Sequence, residues 1–362
     1  MLTISKITSA DHAAEYFEAG DHDDVFHGGT VAPSIWLGNA ASKLGLYETA
    51  VNSAQFKRFL GGEIGELKLK TTRSDVAQRI CGFDCCFSAP KSISIVALFG
   101  GDERLILAHQ NSISYMTSYI EKNYILIQQK IRSKDGSVEY ENVNTHSLLA
   151  ALFHHSLCRH QQPQVHSHLC IINATFVENG DLRAIRERKI YKQQKFLGLV
   201  YRQRLAVEVS KLGYEIVPGI SGGLFEIAGI GRSLIERFST RSRQIKIDLD
   251  EYNQRSGNFS KSQKRNIILK NRMPKQKITF DKLEEKWIRI AGDNLDDLVK
   301  TINMAGERSS HIFFTEMIEL SSENNCDVLT RDLMSEMDER ALARKSGNLK
   351  PLRKRVKLED KL

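Results

Sequence analysis

The amino-acid sequence predicts a mixed α+β protein built on a mainly antiparallel sheet. Three observations carry this. Asp135-Gly136 separates two strand-like runs, 124–132 and 137–143, and is a strong two-residue hairpin signal. A polar loop containing Pro163, short enough for an antiparallel return, separates strand-like 149–155 from 165–176. Two stretches, 103–122 and 190–212, have the length and spacing of helices, so helices accompany the sheet.

The remaining elements follow in chain order. Residues 2–7 open as a strand, and Ser9 can then cap a short helix carrying Ala13, Ala14, Tyr16 and Phe17, stopped by Gly20. Trp36, Leu44, Leu46, Phe56 and Leu60 anchor a helical section. Segments 82–88 and 93–99 read as apolar strands. Pro90 lacks the N–H that a strand interior needs, so Ala89-Pro90-Lys91 is a turn between them. The helix over 190–212 ends at Gly213. From about 239 the chain is polar, basic and less periodic. Beyond 300 it is helical but charged, closing on Lys350-Pro351-Leu352-Arg353-Lys354-Arg355, and no internal repeat is present.

Composition narrows the class. A chain of 362 residues suits one large or two ordinary domains and buries a real core. With 41% apolar and 27% charged residues, and only 24 Gly and 6 Pro, it is neither collagen-like nor low-complexity. No run approaches the roughly 18 apolar residues of a membrane span, and Asp11, Glu15 and Glu18 stand where a signal peptide would be apolar. Six cysteines without Cys-x-x-Cys spacing read as reduced thiols, so the expected location is the cytoplasm. Net charge is +8. Residues 241–280 hold eleven basic residues against three acidic ones, a surplus equal to that of the whole chain, whereas residues 1–30 hold six acids against Lys6. A concentrated basic stretch points to a polyanionic partner.

Five histidines fall between 154 and 168: His154, His155, His160, His166 and His168. His166 and His168 lie two apart in an apolar strand, so both side chains leave one face. Alone, such a pair is more often a half-exposed feature of a sheet. Here His155 ends the preceding strand, and an antiparallel return brings three imidazoles to one point. That arrangement leaves open positions on a divalent cation, as a catalytic site requires. Metal-bound histidines usually donate their second N–H to a carboxylate, a role that suits Asp84, an unusual residue within Gly82-Phe83-Asp84-Cys85-Cys86-Phe87.

At these residues the sequence resembles the HUH endonuclease superfamily and, within it, conjugative relaxases of the TrwC/TraI (MobF) type. Five segments carry the resemblance, in the family's order, over roughly residues 1–295. They are Ala14-Glu15-Tyr16-Phe17; Trp36-Leu37-Gly38 running into Leu44-Gly45-Leu46; and Gly82-Phe83-Asp84 with Phe87-Ser88-Ala89-Pro90-Lys91-Ser92. Then come Phe153-His154-His155 with Arg159 and Pro163-Gln164-Val165-His166-Ser167-His168, and lastly Tyr201 through Leu212-Gly213-Tyr214, continued by 238–245.

The resemblance implies a sheet with the three histidines on its exposed face and helices packed on the other. It implies a metal-dependent transesterase that nicks one DNA strand at a plasmid or integrative-element transfer origin. Tyr16 matches the nucleophile that keeps the 5′ end as a phosphotyrosine; on residue type alone it would be an amphipathic-helix aromatic. The expected ion, held by His155, His166 and His168, is Mg²⁺ or Mn²⁺, with Zn²⁺ as a further option. Residues 239–295 would form a mobile lid over single-stranded DNA, with Arg241, Arg243, Lys264, Arg265, Lys270 and Arg272 on phosphates. Arg159 is a candidate near the scissile bond, and Lys91 either joins it or stabilises its turn. Partners implied are single-stranded DNA with an origin hairpin, accessory relaxosome proteins and a coupling protein.

Two departures stand out. The family's second tyrosine site falls in Asp21-His22-Asp23-Asp24-Val25-Phe26, without tyrosine, and the residue before Pro163, acidic in many relatives, is Gln162. No Gly-x-x-x-x-Gly-Lys-Ser/Thr is present, so 296–362 reads as a helical charged tail with no helicase. The alternative reading is a relaxase remnant that binds single-stranded or hairpin DNA with impaired catalysis.

Overall fold

A computed structural model describes residues 1–23, 33–69, 79–132, 138–219, 223–257, 260–270 and 279–323. In chain order the strands and helices are β1 (Leu2–Ile7), α1 (Ala10–Asp23), β2 (Ile35–Leu37), α2 (Asn39–Lys43), α3 (Ser53–Leu60), the hairpin β3 (Glu63–Ile64) and β4 (Leu67–Lys68), and β5 (Gly82–Ser88). There follow α4 (Lys91–Leu98), α5 (Arg104–Tyr124), the ribbon β6 (Leu126–Arg132) and β7 (Val138–Asn144), β8 (Ala150–Leu157), β9 (Pro163–Ile172), β10 (Thr175–Phe176) and β11 (Leu182–Arg183). The chain continues through α6 (Arg188–Lys192), α7 (Gln194–Lys211), β12 (Ile216–Pro218), β13 (Phe225–Ile227), α8 (Arg232–Arg237), α9 (Thr240–Ser256), α10 (Lys261–Lys270), α11 (Phe280–Ala291) and α12 (Leu295–Glu323).

Two compact units share the chain. One holds 1–89, 109–157 and 164–205; the other holds 90–108, 158–163 and the residues from 206 onward. The first unit is organised by a five-stranded sheet of order β1-β5-β9-β8-β2. β5 pairs antiparallel with β1 and β9, and β2 pairs antiparallel with β8. β8 and β9 return antiparallel as expected, with Cys158 N–H on the Gln162 carbonyl at one end and Ile172 N–H on that of Leu149 at the other.

Alternation along these strands builds two apolar layers. Phe83 and Phe87 of β5 meet Tyr191 and Tyr201, on the face away from the metal-site histidines. The histidine face also carries helices over part of its length. There Phe17 of α1 and Phe56 of α3 pack on Phe153 of β8, with Trp36, Leu60, Cys170 and Ile172 in the same core. Burying each large side chain stabilises the fold by roughly 1.5–3 kcal/mol. Ser9 caps α1 as expected, its Oγ accepting from His12 N–H at 3.3 Å.

Several local expectations are corrected. α1 runs through Gly20 to Asp23, because a single glycine costs a helix only about 1 kcal/mol. Trp36 lies on β2, not in a helix, while Leu44 and Leu46 lie in the loop after α2. The strand expected to reach 176 ends at Ile172, and the helix over 190–212 is interrupted at Gln193. Gly213 does end α7, at φ 83°.

The largest correction is 93–99, which forms helix α4 with the turn residue Pro90 at its N-cap. Every residue from Ser92 to Leu98 is buried, so no polar face exists to mark the helical period. The second unit encloses this helix. Ser92 N–H donates to Glu226 Oε2 at 2.8 Å, and Ile227 N–H donates to Ser92 Oγ at 2.8 Å. Phe99 meets Phe238 and Trp287 just beyond. The tail expected from 296 begins inside α12, which opens at Leu295 and whose Leu298 and Ala305 are buried. The Asp135-Gly136 turn, positions 24–26 of the second tyrosine site, Arg272 and the basic run at 350–355 lie outside the described residues.

Candidate active site

Antiparallel pairing creates the site. β9 presents His166 and His168 on one face, and β8 brings His155 beside them. Ring centroids lie 5.1 Å apart for His155–His166 and His155–His168, and 5.3 Å for His166–His168. One nitrogen from each ring falls within 4.8 Å of the others, making this the group that could hold a metal ion among the described residues.

Acceptor-only neighbours fix two of the tautomers. Asp84 Oδ1 lies 2.8 Å from His168 Nδ1, and the Gln164 carbonyl lies 2.8 Å from His166 Nδ1. A carboxylate or carbonyl oxygen cannot donate, so each Nδ1 carries a proton, and in the neutral ring each Nε2 keeps a lone pair. Nε2 of His168 is buried and makes no hydrogen bond among the described residues. A buried, bare imidazole nitrogen is costly unless something binds it, and a cation would. The donor set therefore fits a divalent ion. Burial disfavours charge on His168, but hydrogen bonds with Asp84 and Cys86 and their charges outweigh it, and the pKa stands well above the usual 6.5.

Helix α1 places Tyr16 against this cluster. Its ring centroid is 6.2 Å from that of His168, edge-on, and 5.0 Å from Phe17. Phe17 lies edge-on to the same His168 ring, at 5.3 Å, and stacks on Phe153 at 4.5 Å. Both rings thus pack against His168, Phe17 buried within the core and Tyr16 half-buried at its edge.

The structure brings together Tyr16, Asp84, His155, His166 and His168 within the first unit. The remaining candidates belong to the second unit. Lys91 Nζ donates to the Pro163 carbonyl at 2.7 Å, and burial lowers its pKa, so the geometry favours the turn-stabilising role. Arg159 is half-buried on the β8–β9 turn. Arg243, Lys264, Arg265 and Lys270 are exposed on α9 and α10, whereas Arg241 reaches the Ile268 carbonyl and links the two helices. Gln162 is buried at the start of α9. Its Oε1 accepts from Thr240 N–H at 3.1 Å, and its Nε2 donates to Thr240 Oγ1 at 2.7 Å and the Arg237 carbonyl at 3.2 Å.

Two features escaped the sequence reading. Between 183 and 204 stand eight basic residues against Glu187, and Arg183, Arg186, Arg188, Lys189, Lys192 and Lys195 are exposed in the first unit. Their density was a readable signal. The other is a buried chain on the reverse face of the sheet, running from Tyr201 through His109 and Ser167 to His154. Burial, with the charges of His154 and His166, holds His109 well below the usual histidine range, and burial lowers His154 to about 4. Alternation marks Ser167 and His154 as opposite-facing, and Tyr201 opens the fifth segment of the resemblance, but nothing in the sequence announces His109.

Comparison with known proteins agrees with this geometry. A family profile described as TrwC relaxase matches residues 10–293. The multifunctional conjugation protein TraI of Escherichia coli (strain K12) is 32% identical over 256 residues, which is 68% of this chain and 14% of that protein. The chain therefore matches a small part of its curated relative. Among solved structures, the conjugative relaxase TrwC in complex with oriT DNA in a metal-bound form aligns with a TM-score of 0.70 and 33% identity, covering 80% of this chain and 97% of that one. A copper-bound form of that complex gives 0.70 and 34%, covering 81% and 98%. TrwC with a 27-mer DNA comprising the recognition hairpin and the cleavage site gives 0.68 and 30%, covering 81% and 98%. With the three-histidine cluster, the antiparallel sheet and a profile match over most of its length, this chain belongs to the TrwC relaxase family.

Proposed function

We propose that this chain cuts one strand of DNA at a conjugative transfer origin and holds the 5′ end covalently on Tyr16. The observation that carries the reading is the position of Tyr16 against three converged histidines, one of them oriented by Asp84. The relatives' complexes with oriT DNA and with metal support it.

Tyr16 Oη forms a bond to the scissile phosphorus as the bond to the 3′ oxygen breaks. The phenol loses its proton and the departing 3′ oxygen gains one, so one phosphodiester replaces another, the step is reversible, and rejoining needs no ATP. His155, His166 and His168 would hold a divalent ion, which when bound would polarise the phosphate and stabilise charge in the displacement. Mg²⁺ and Mn²⁺ are the first ions to test. Asp84 keeps the His168 proton on Nδ1. α1 holds the phenol in place through Phe17, which is buried in the core. Exposed Arg243, Lys264 and Arg265, with Arg186, Arg188 and Lys192 of the other unit, attract phosphates.

The test is incubation with single-stranded oligonucleotides tiling the DNA around the gene, with Mg²⁺ or Mn²⁺, resolved on a denaturing gel. A protein–DNA adduct is expected, absent from Tyr16→Phe. An adduct that persists in Tyr16→Phe overturns the nucleophile, and binding without any adduct leaves a DNA-binding remnant.

A further inference from the structure

Behind the three histidines, on the reverse face of the sheet, lies a buried hydrogen-bond chain that the cutting step does not use. Ser167 sits between His166 and His168 on β9, so its side chain leaves the opposite face. Its Oγ is 2.7 Å from His109 Nε2 and 2.7 Å from His154 Nδ1, and His109 Nδ1 is 2.7 Å from the Tyr201 hydroxyl. The four residues come from four elements: α5, β8, β9 and α7. Ser167 and Tyr201 are 0% exposed and His109 is 1% exposed, so water cannot replace a lost partner. Leaving a buried donor or acceptor unmade costs about 1–3 kcal/mol.

The chain has a direction. Among the described residues, the Tyr201 hydroxyl has His109 as its hydrogen-bond partner. A buried O–H that only accepted would leave its proton without a partner, so Tyr201 donates to His109 Nδ1. His109 then donates from Nε2 to Ser167 Oγ, and Ser167 donates to His154 Nδ1. Every proton in this sequence is used once.

Position gives the chain a purpose. His154 is the neighbour of ligand His155, and Ser167 is the neighbour of both His166 and His168. The Ser167–His154 bond therefore crosses from β9 to β8 directly behind the gap that a bound cation has to span. We propose that Ser167, held by His109 and Tyr201, is a positioning residue that sets the spacing between His155 and the His166–His168 pair. This rests on the three histidines binding a metal.

Co²⁺ is the probe, added to the full chain, because its visible absorption bands report ligand geometry and its affinity can be titrated. Ser167→Ala is expected to lower Co²⁺ affinity about tenfold and to move the bands, as loss of outer-shell support does at metal sites. Ser167→Thr, which keeps the hydroxyl, is expected to restore both, and Tyr201→Phe to move the bands the same way by less. A merely structural serine would change thermal stability and leave the bands in place. Folded Ser167→Ala with wild-type bands and affinity overturns the proposal. Should Ser167→Ala fail to fold, unchanged bands in Tyr201→Phe overturn it equally. If the wild-type chain binds no Co²⁺, the metal reading fails rather than the brace.

Discussion

Asp84 decides which nitrogen His168 offers. Because its carboxylate can only accept, it holds the ring proton on Nδ1 and turns Nε2 toward the other two histidines. Asp84→Ala should weaken divalent-metal binding about 10- to 100-fold by isothermal titration, and Asp84→Asn by less, since the amide oxygen still accepts. Equal affinity in all three proteins would mean that the carboxylate does not orient the ligand. A second residue-scale expectation concerns acid. His154 titrates at about 4 in the folded chain against 6.5 for an ordinary histidine. The unfolded chain therefore binds the proton more readily, and stability is lost as pH falls from 6.5 toward 4, by roughly 3 kcal/mol. His109 adds to this with the same sign. His168, raised, works the other way in the metal-free protein, its contribution present below pH 6.5 and lost as pH rises through its folded value. Thermal unfolding across pH 7 to 4 should fall less steeply in His154→Asn than in the wild-type protein; parallel curves would remove His154 from the account.

Elements show where sequence reasoning holds and where it stops. The strand carrying His166 and His168 was legible because a two-residue alternation of histidine against apolar neighbours is a surface-like pattern inside a buried run. Its hairpin partner was legible from the loop around Pro163. Helix α4 was not. Its residues from Ser92 to Leu98 are buried on every side, so length alone separated helix from strand, and eight residues suit both. Gln162 was visible only as a departure from an acidic position, yet its amide joins the β8–β9 turn to the first residue of α9. Gln162→Ala should destabilise the second unit by about 1–3 kcal/mol and speed proteolysis within 240–270. Wild-type cleavage kinetics would show that the turn does not anchor α9. For the exposed charges, replacing Arg243, Lys264 and Arg265 together by Ala should lower the dependence of DNA affinity on log salt by about three, near one per phosphate contact. An unchanged slope would mean that these helices face away from DNA.

At the scale of the whole molecule, the chain passes between its two units five times. Segment 90–108 belongs with residues beyond 206, through Phe99 against Phe238 and Trp287 and through Asp102, which accepts from the Tyr214 hydroxyl at 2.6 Å. No single cut separates the units. A fragment ending at 205 should therefore be poorly soluble despite containing all three histidines, whereas a soluble, cooperatively folding fragment would contradict the division. Sheet order carries a further consequence, for synthesis. β9 is the central strand of the five and also the last of them in sequence. Until residue 172 has left the ribosome, the strands of this sheet can form only two separate pairs, β1 with β5 and β2 with β8, each with an unsatisfied edge. β9 then closes the gap and delivers two of the three clustered histidines in the same event. Tyr16 is thus made early but has no histidine cluster beside it until the sheet is whole, and an interrupted translation product carries the phenol without the three converged imidazoles.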